Sequence, residues 1–122
     1  MRAVLRYLHS PDVPDLTAYS PADPAKFSIL VQAMIGPQGG DGEESFDVQV
    51  CTPRWLEADH NGGDIISGRH MLIVLKFDYD ALKRYFEHAA ASVTGADWDE
   101  VAQKLSRIGK WEFEDYQPAT VP

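Results

Sequence analysis

The side chains best suited to chemistry in this chain are its carboxylates, and they come in clusters. Glu43-Glu44, Asp97-Asp99-Glu100 and Glu112-Glu114-Asp115 each gather acids within a few residues. Two carboxylates can divide into a general acid and a general base when burial or a close like charge raises one proton affinity. Helix caps and solvated faces account for all three clusters without such chemistry. Their other use is recognition. Glu112, Glu114 and Tyr116 fall on one face of a terminal strand over residues 111–116, with Trp111 and Phe113 turned inward. Acids around an exposed tyrosine suit an interface. The acidic recognition surface predicted on this basis comprises Glu43, Glu44, Asp47, Glu112, Glu114, Asp115 and Tyr116.

Other chemistries find less support. Cys51 is the only cysteine, which excludes an internal disulfide and a cysteine metal cluster. It could pair with a histidine as a nucleophile. The alternation around it, however, puts it opposite Phe46, Val48 and Val50, and nothing local activates it. His9, His60, His70 and His88 do not pair at metal-ligand spacing on one helix. The glycine-rich run 36–42 lacks a terminal Lys-Ser/Thr and a following helix, so it is a hairpin turn and not a phosphate loop. Residues 59–64 imitate half a calcium loop, but Gly63 and Asp64 break the ligand pattern and His70 stands where a glutamate is needed. No catalytic residue, metal or cofactor is expected, and no small-molecule ligand.

The totals narrow the partners. With 122 residues the chain is expected to form one domain over 1–122. Against 19 acids stand 11 Lys and Arg, a net charge of −8. Nucleic acid needs a basic patch, and anionic membrane surfaces attract cations, so both are excluded as direct partners. A basic protein partner is favoured by the same charge. No charged-then-apolar leader opens the sequence and no apolar run reaches 18 residues, which predicts a cytoplasmic protein.

The elements that must position these residues follow from periodicity. Residues 2–9 read as a strand with apolar residues on both faces. The proline-rich stretch 10–25 reads as a loop with room for one helical turn. Residues 26–35 predict a central strand, with Phe27, Ile29, Val31, Ala33 and Ile35 on one face and Leu30 and Met34 on the other. Two-sided apolarity favours cover on both faces, with partial exposure to a partner as the alternative. Residues 43–52 alternate cleanly and complete a hairpin. A short helix starts at Pro53, a polar loop spans 59–68, and a fourth strand spans 69–77. Asp78 or Asp80 caps a helix to about Val93, with Leu82, Tyr85, Phe86, Ala89 and Val93 inward and Gly95 as its end. A second helix is capped by Asp97, with Glu100 completing a capping box. It buries Trp98, Val101, Ala102, Leu105 and Ile108 and stops at Gly109 in the left-handed region. Strands first and a helical pair after them predict an α+β fold: an antiparallel sheet of four to five strands with two C-terminal helices on one face.

A set of short pieces stands along the chain in a specific order and spacing. It runs from His9-Ser10-Pro11-Asp12 through Met34-Ile35-Gly36-Pro37, Glu44-Ser45-Phe46-Asp47-Val48 and Cys51-Thr52-Pro53-Arg54-Trp55-Leu56. Gly68-Arg69-His70, Trp98 and Trp111-Glu112-Phe113-Glu114-Asp115-Tyr116 complete it. In this order the chain resembles the immunity protein 8 family of bacterial polymorphic toxin systems. The resemblance implies an α+β protein, not an enzyme, that binds and neutralises a cognate toxin domain encoded nearby. The acidic positions above then become toxin-binding candidates, and the charge suggests a basic nuclease as the toxin. The rival readings are a small carboxylate-dependent hydrolase or transferase, and a plain interaction adaptor.

Overall fold

The computed structural model describes residues 1–60, 63 and 65–114. Its centre is a hairpin of two long strands, β2 (Ser28–Pro37) and β3 (Glu44–Cys51). Their inward residues pair directly: Ile29 with Val50, Val31 with Val48, Ala33 with Phe46. The small Ala33 leaves room for Phe46 beside it, and both are fully buried. Strand β1 (Ala3–His9) runs antiparallel to β2, with a bulge between Leu5 and Tyr7. The bulge explains the two-sided apolarity of this strand, because one extra residue flips the alternation. Ala3 and Leu5 oppose Pro37 and Ile35 before it, and Leu8 opposes Ala33 after it. The extra residue, Arg6, donates from its guanidinium to the carbonyls of Pro37 (2.8 Å) and Gly40 (2.6 Å) and holds the hairpin turn.

The other edge of β3 is shared end to end. β4 (Met71–Ile73) pairs with Gln49–Cys51, and β5 (Lys110–Trp111) pairs with Phe46 and Asp47. The sheet is antiparallel except for β4, which is parallel to β3. Its approach requires a crossover, and the α1 helix (Pro53–Asp59) lies in that connection. β4 is much shorter than the predicted 69–77. Its partner strand ends at Cys51, so after Val74 N–H has bonded the Cys51 carbonyl the ladder has nothing left to extend. Thr52 caps α1 and also accepts from Phe27 N–H at 3.1 Å, which ties the crossover to β2.

Two helices, α2 (Tyr79–Ala91) and α3 (Trp98–Leu105), cover one face of the sheet. The fold is therefore α+β, a small open sheet with two helices near its C-terminus, as the pattern predicts. Details of the helices differ from the expectation. Leu82, Phe86 and Ala90 form the buried stripe of α2, while Tyr85 is exposed and Ala89 only half-buried. Asp97 caps α3 by accepting from Glu100 N–H at 2.9 Å. Glu100 reaches back to Ala96 N–H and not to the cap residue itself, so the capping box is displaced by one. The helix ends at Leu105, before Gly109. Gly109 does not have a positive φ. Its role is close approach, since a Cβ there would lie 2.8 Å from Val48 Cγ2 and 3.1 Å from the Phe46 backbone.

The opposite face of the sheet is not covered as expected. Leu30, Gln32 and Met34 are half-buried there, against the fully buried inward row of β2. The proline-rich loop does contain one 3-10 turn (Leu16–Ala18), capped by Asp15. Beside it Tyr19 packs edge-on against Phe77 (4.9 Å between ring centroids) and Phe27 (6.5 Å). Asp12 accepts from Leu30 N–H at 2.7 Å, taking over the β2 edge where β1 ends.

Candidate functional site: an acidic cleft with aromatic walls

The start of β3, the start of α3 and the β5 turn meet around Glu44. Its carboxylate accepts from the indole N–H of Trp98 and from that of Trp111 (3.4 Å). Both tryptophans are half-buried, so an amphipathic ring lies partly in the core with its polar edge aimed at a charge. The backbone after Trp111 does not continue as a strand. Glu114 N–H bonds the Trp111 carbonyl at 2.8 Å and closes a turn over residues 112–114. Over the described part of the predicted strand 111–116, Trp111 joins Lys110 in a two-residue strand and a turn follows at 112–114. Phe113 is 40% exposed and not turned inward, because the turn breaks the alternation. Its ring meets that of Trp111 edge-on at 5.6 Å.

These residues surround a cleft of about 650 Å³, lined by Glu44, Trp98, Trp111 and Phe113 with Asp99, Gln103, Ser106 and Glu114. A second hollow of about 390 Å³ shares Glu44 and Trp98 and adds Asp41 and Glu43. Neither lining contains a lysine or arginine. The region is an acidic surface with aromatic walls.

The predicted site residues divide within this geometry. Glu43, Glu44 and Glu114 come together in it. Glu43 accepts from the Tyr7 hydroxyl at 3.4 Å. Glu112 and Glu114 are both engaged within the fold. Glu112 accepts from Ser45 N–H at 2.9 Å and returns its own N–H to the Ser45 carbonyl. Glu114 is held by Arg69 (2.9 Å) and by His70 Nε2 (3.2 Å). His70 adopts a positive φ of 61°, rare for a residue with a Cβ, in the turn leading into β4. Asp47 lies apart, on the open face of the sheet, accepting from Gln32 Nε2 at 3.2 Å. Asp115 and Tyr116 lie outside the described residues.

Sequence reasoning passed over Asp41, placed Asp99 in an acid cluster without assigning it to the recognition surface, and read Trp98 and Phe113 as core, which holds in part for Trp98, half-buried against it. A signal existed: two of the three tryptophans fall within residues 98–111, next to the densest acid clusters. What no periodicity reports is that their ring edges converge on a carboxylate from a distant strand.

The remaining chemistry is sparse. Cys51 is fully buried, and desolvation pushes its thiol above its ordinary proton affinity, away from the thiolate a nucleophile needs. Among the described residues no group of three or more His, Cys, Asp or Glu could hold a metal ion. No helix among them is long and apolar enough to cross a membrane.

Fold and cleft together define a small α+β domain with an acidic, aromatic-walled cleft at one end of its sheet. The family model described as Immunity protein 8 matches residues 3–116, and the chain belongs to that family. It is an immunity protein of toxin systems. No curated protein matches the chain, and no solved structure matches it.

Proposed function

We propose that this protein neutralises one cognate toxin domain, encoded nearby, by stoichiometric binding and without turnover. The surface we assign to the toxin is the acidic end of the sheet, with Asp41, Glu43, Glu44 and Asp99 as its contact carboxylates. Glu112 and Glu114 shape that surface through their bonds to Ser45, Arg69 and His70. The observation that carries this is a pair of hollows lined by acids and aromatic rings with no cation in either lining. Such a surface complements Lys and Arg. The toxin that fits best is a basic nuclease acting in the cytoplasm, whose nucleic-acid site is itself rich in cations. The engaged states of Glu44 and Glu114 favour binding over carboxylate catalysis, because each is already committed to internal donors.

The test is expression of the neighbouring reading frame with and without this protein, followed by titration of the purified pair. Rescue at one protein per toxin, with a Kd of about 1 nM or tighter, is the expected result. Association should slow as salt passes about 0.15 M, where charges screen over roughly 8 Å. Rescue well below one protein per toxin would instead identify an enzyme. Absence of both rescue and complex would remove the toxin reading.

A further inference from the structure

We infer that the cleft between α3 and β5 is the seat of one arginine side chain of the toxin. This rests on the reading that the protein binds a basic toxin at its acidic end. Three features of the cleft select a guanidinium. The first is the combination of ring walls and acceptors. The rings of Trp98, Trp111 and Phe113 and the carboxylates of Glu44 and Asp99 line one 650 Å³ space. A guanidinium is flat and weakly hydrated, so it can lie on a ring while its N–H fork bonds a carboxylate. An ammonium is a compact, strongly hydrated charge and gains less from the rings. A purely apolar side chain would strip water from the carboxylates and return no hydrogen bond.

The second feature is pre-organisation. Glu44 is fixed by two indole N–H groups, one from each wall. A carboxylate has about four acceptor sites, so two remain for an incoming fork. Because the acceptor and both rings are already pinned by the same bonds, binding immobilises little that was free. The third is the local field. The positive end of the α3 dipole would disfavour a cation at this place. Asp97 at the cap and Asp99 in the first turn offset it, while Glu100 beside them is paired with Lys104 at 3.2 Å.

The test begins without the toxin. Trp55→Phe leaves Trp98 and Trp111 as the only tryptophans, so their fluorescence reports the cleft. Titration with N-acetyl-arginine amide should quench or shift this emission saturably. N-acetyl-lysine amide should bind at least about three-fold more weakly, the ring contribution being lost. Asp99→Asn should weaken the arginine probe several-fold while the thermal midpoint falls only by the few degrees that one first-turn acid and its bond from Gln103 account for. Equal response to the two amides, or a response indifferent to Asp99→Asn, overturns the seat. With the toxin, each of its surface arginines is replaced by lysine in turn. One such change should raise the off-rate about ten-fold or more, and that loss should shrink when Asp99→Asn is already present. Tight rescue with no such arginine overturns the seat and leaves the toxin reading standing. An arginine-selective cleft in a protein that rescues from nothing does the reverse.

Discussion

Two clefts of similar size sit on this molecule, and their linings oppose each other. The acidic one, about 650 Å³, combines carboxylates with three aromatic rings. The other, about 580 Å³, lies where β1 meets α2 and gathers Arg2, Arg6 and Lys83 with a single acid, Glu87, over aliphatic walls. Three of the 11 cationic residues are therefore drawn together in a chain whose net charge is −8. The difference between them lies less in charge than in commitment. Arg6 is spent on the hairpin carbonyls, and no ring lines the basic cleft to hold a partner. In the acidic cleft the internal bonds fix the side chains that line it. A charged hollow is suited to recognition when its groups are held in place with capacity to spare.

The comparison can be broken most directly by charge reversal. Asp41, Glu43 and Asp99 replaced together by Lys should slow association with the toxin by about 10- to 100-fold at low salt. Arg2 and Lys83 replaced by Glu should leave the on-rate unchanged or slightly faster. Acceleration by the second set as large, per charge changed, as the slowing by the first would show in stopped-flow that net charge, and not the acidic cleft, governs encounter. Next in size is the close approach of the α3–β5 connection to β3. Gly109→Ala should cost about 1–3 kcal/mol in denaturant melts, because the backbone of Phe46 and Asp47 cannot retreat from a new methyl. A neutral result would mean that the α3–β5 connection is not held against β3. Trp98→Phe keeps a ring but removes one donor to Glu44, and about 1–2 kcal/mol of stability should go with it.

The smallest effect is on pH. Glu100 has its carboxyl lowered below the ordinary 4.5, first by its bond from Ala96 N–H and then by Lys104. A depressed folded-state value stabilises above the unfolded value and is lost as pH falls through the folded one. Stability of α3 should therefore decline below about pH 4.5, and Glu100→Gln should flatten that decline in melts between pH 5 and 3. A steeper decline in the variant would reverse the assigned sign.

Much of the fold was legible because it rests on local pattern. The β2–β3 alternation, the Asp78 and Asp97 caps and the proline-led α1 each declare themselves within a few residues. What failed depends on distant partners. Nothing in residues 69–77 says that their partner strand stops at Cys51. Spacing alone allows Tyr85 inward as readily as Phe86, and only the seating of α2 on the sheet buries one and exposes the other. Gly109 looked like a helix stop, since a sequence shows its flexibility and not the strand pressed against it. The cleft was half visible. Its acids Glu43, Glu44 and Glu114 were picked out, but the turn at residues 112–114 and the indole clamp on Glu44 arise only when the last strand docks.

That late docking sets an order of assembly. The β2–β3 hairpin closes through contacts near in sequence, whereas the bond from Ser45 N–H to Glu112 spans 67 residues. Long-range closure is slow because loop entropy is lost before contact repays it. During synthesis, the edge of β3 at Phe46 and Asp47 stays bare until Lys110 and Trp111 have left the ribosome. A nascent chain can thus hold its hairpin and still lack the second indole on Glu44, so the acidic cleft is complete only once Lys110 and Trp111 have emerged and docked on β3.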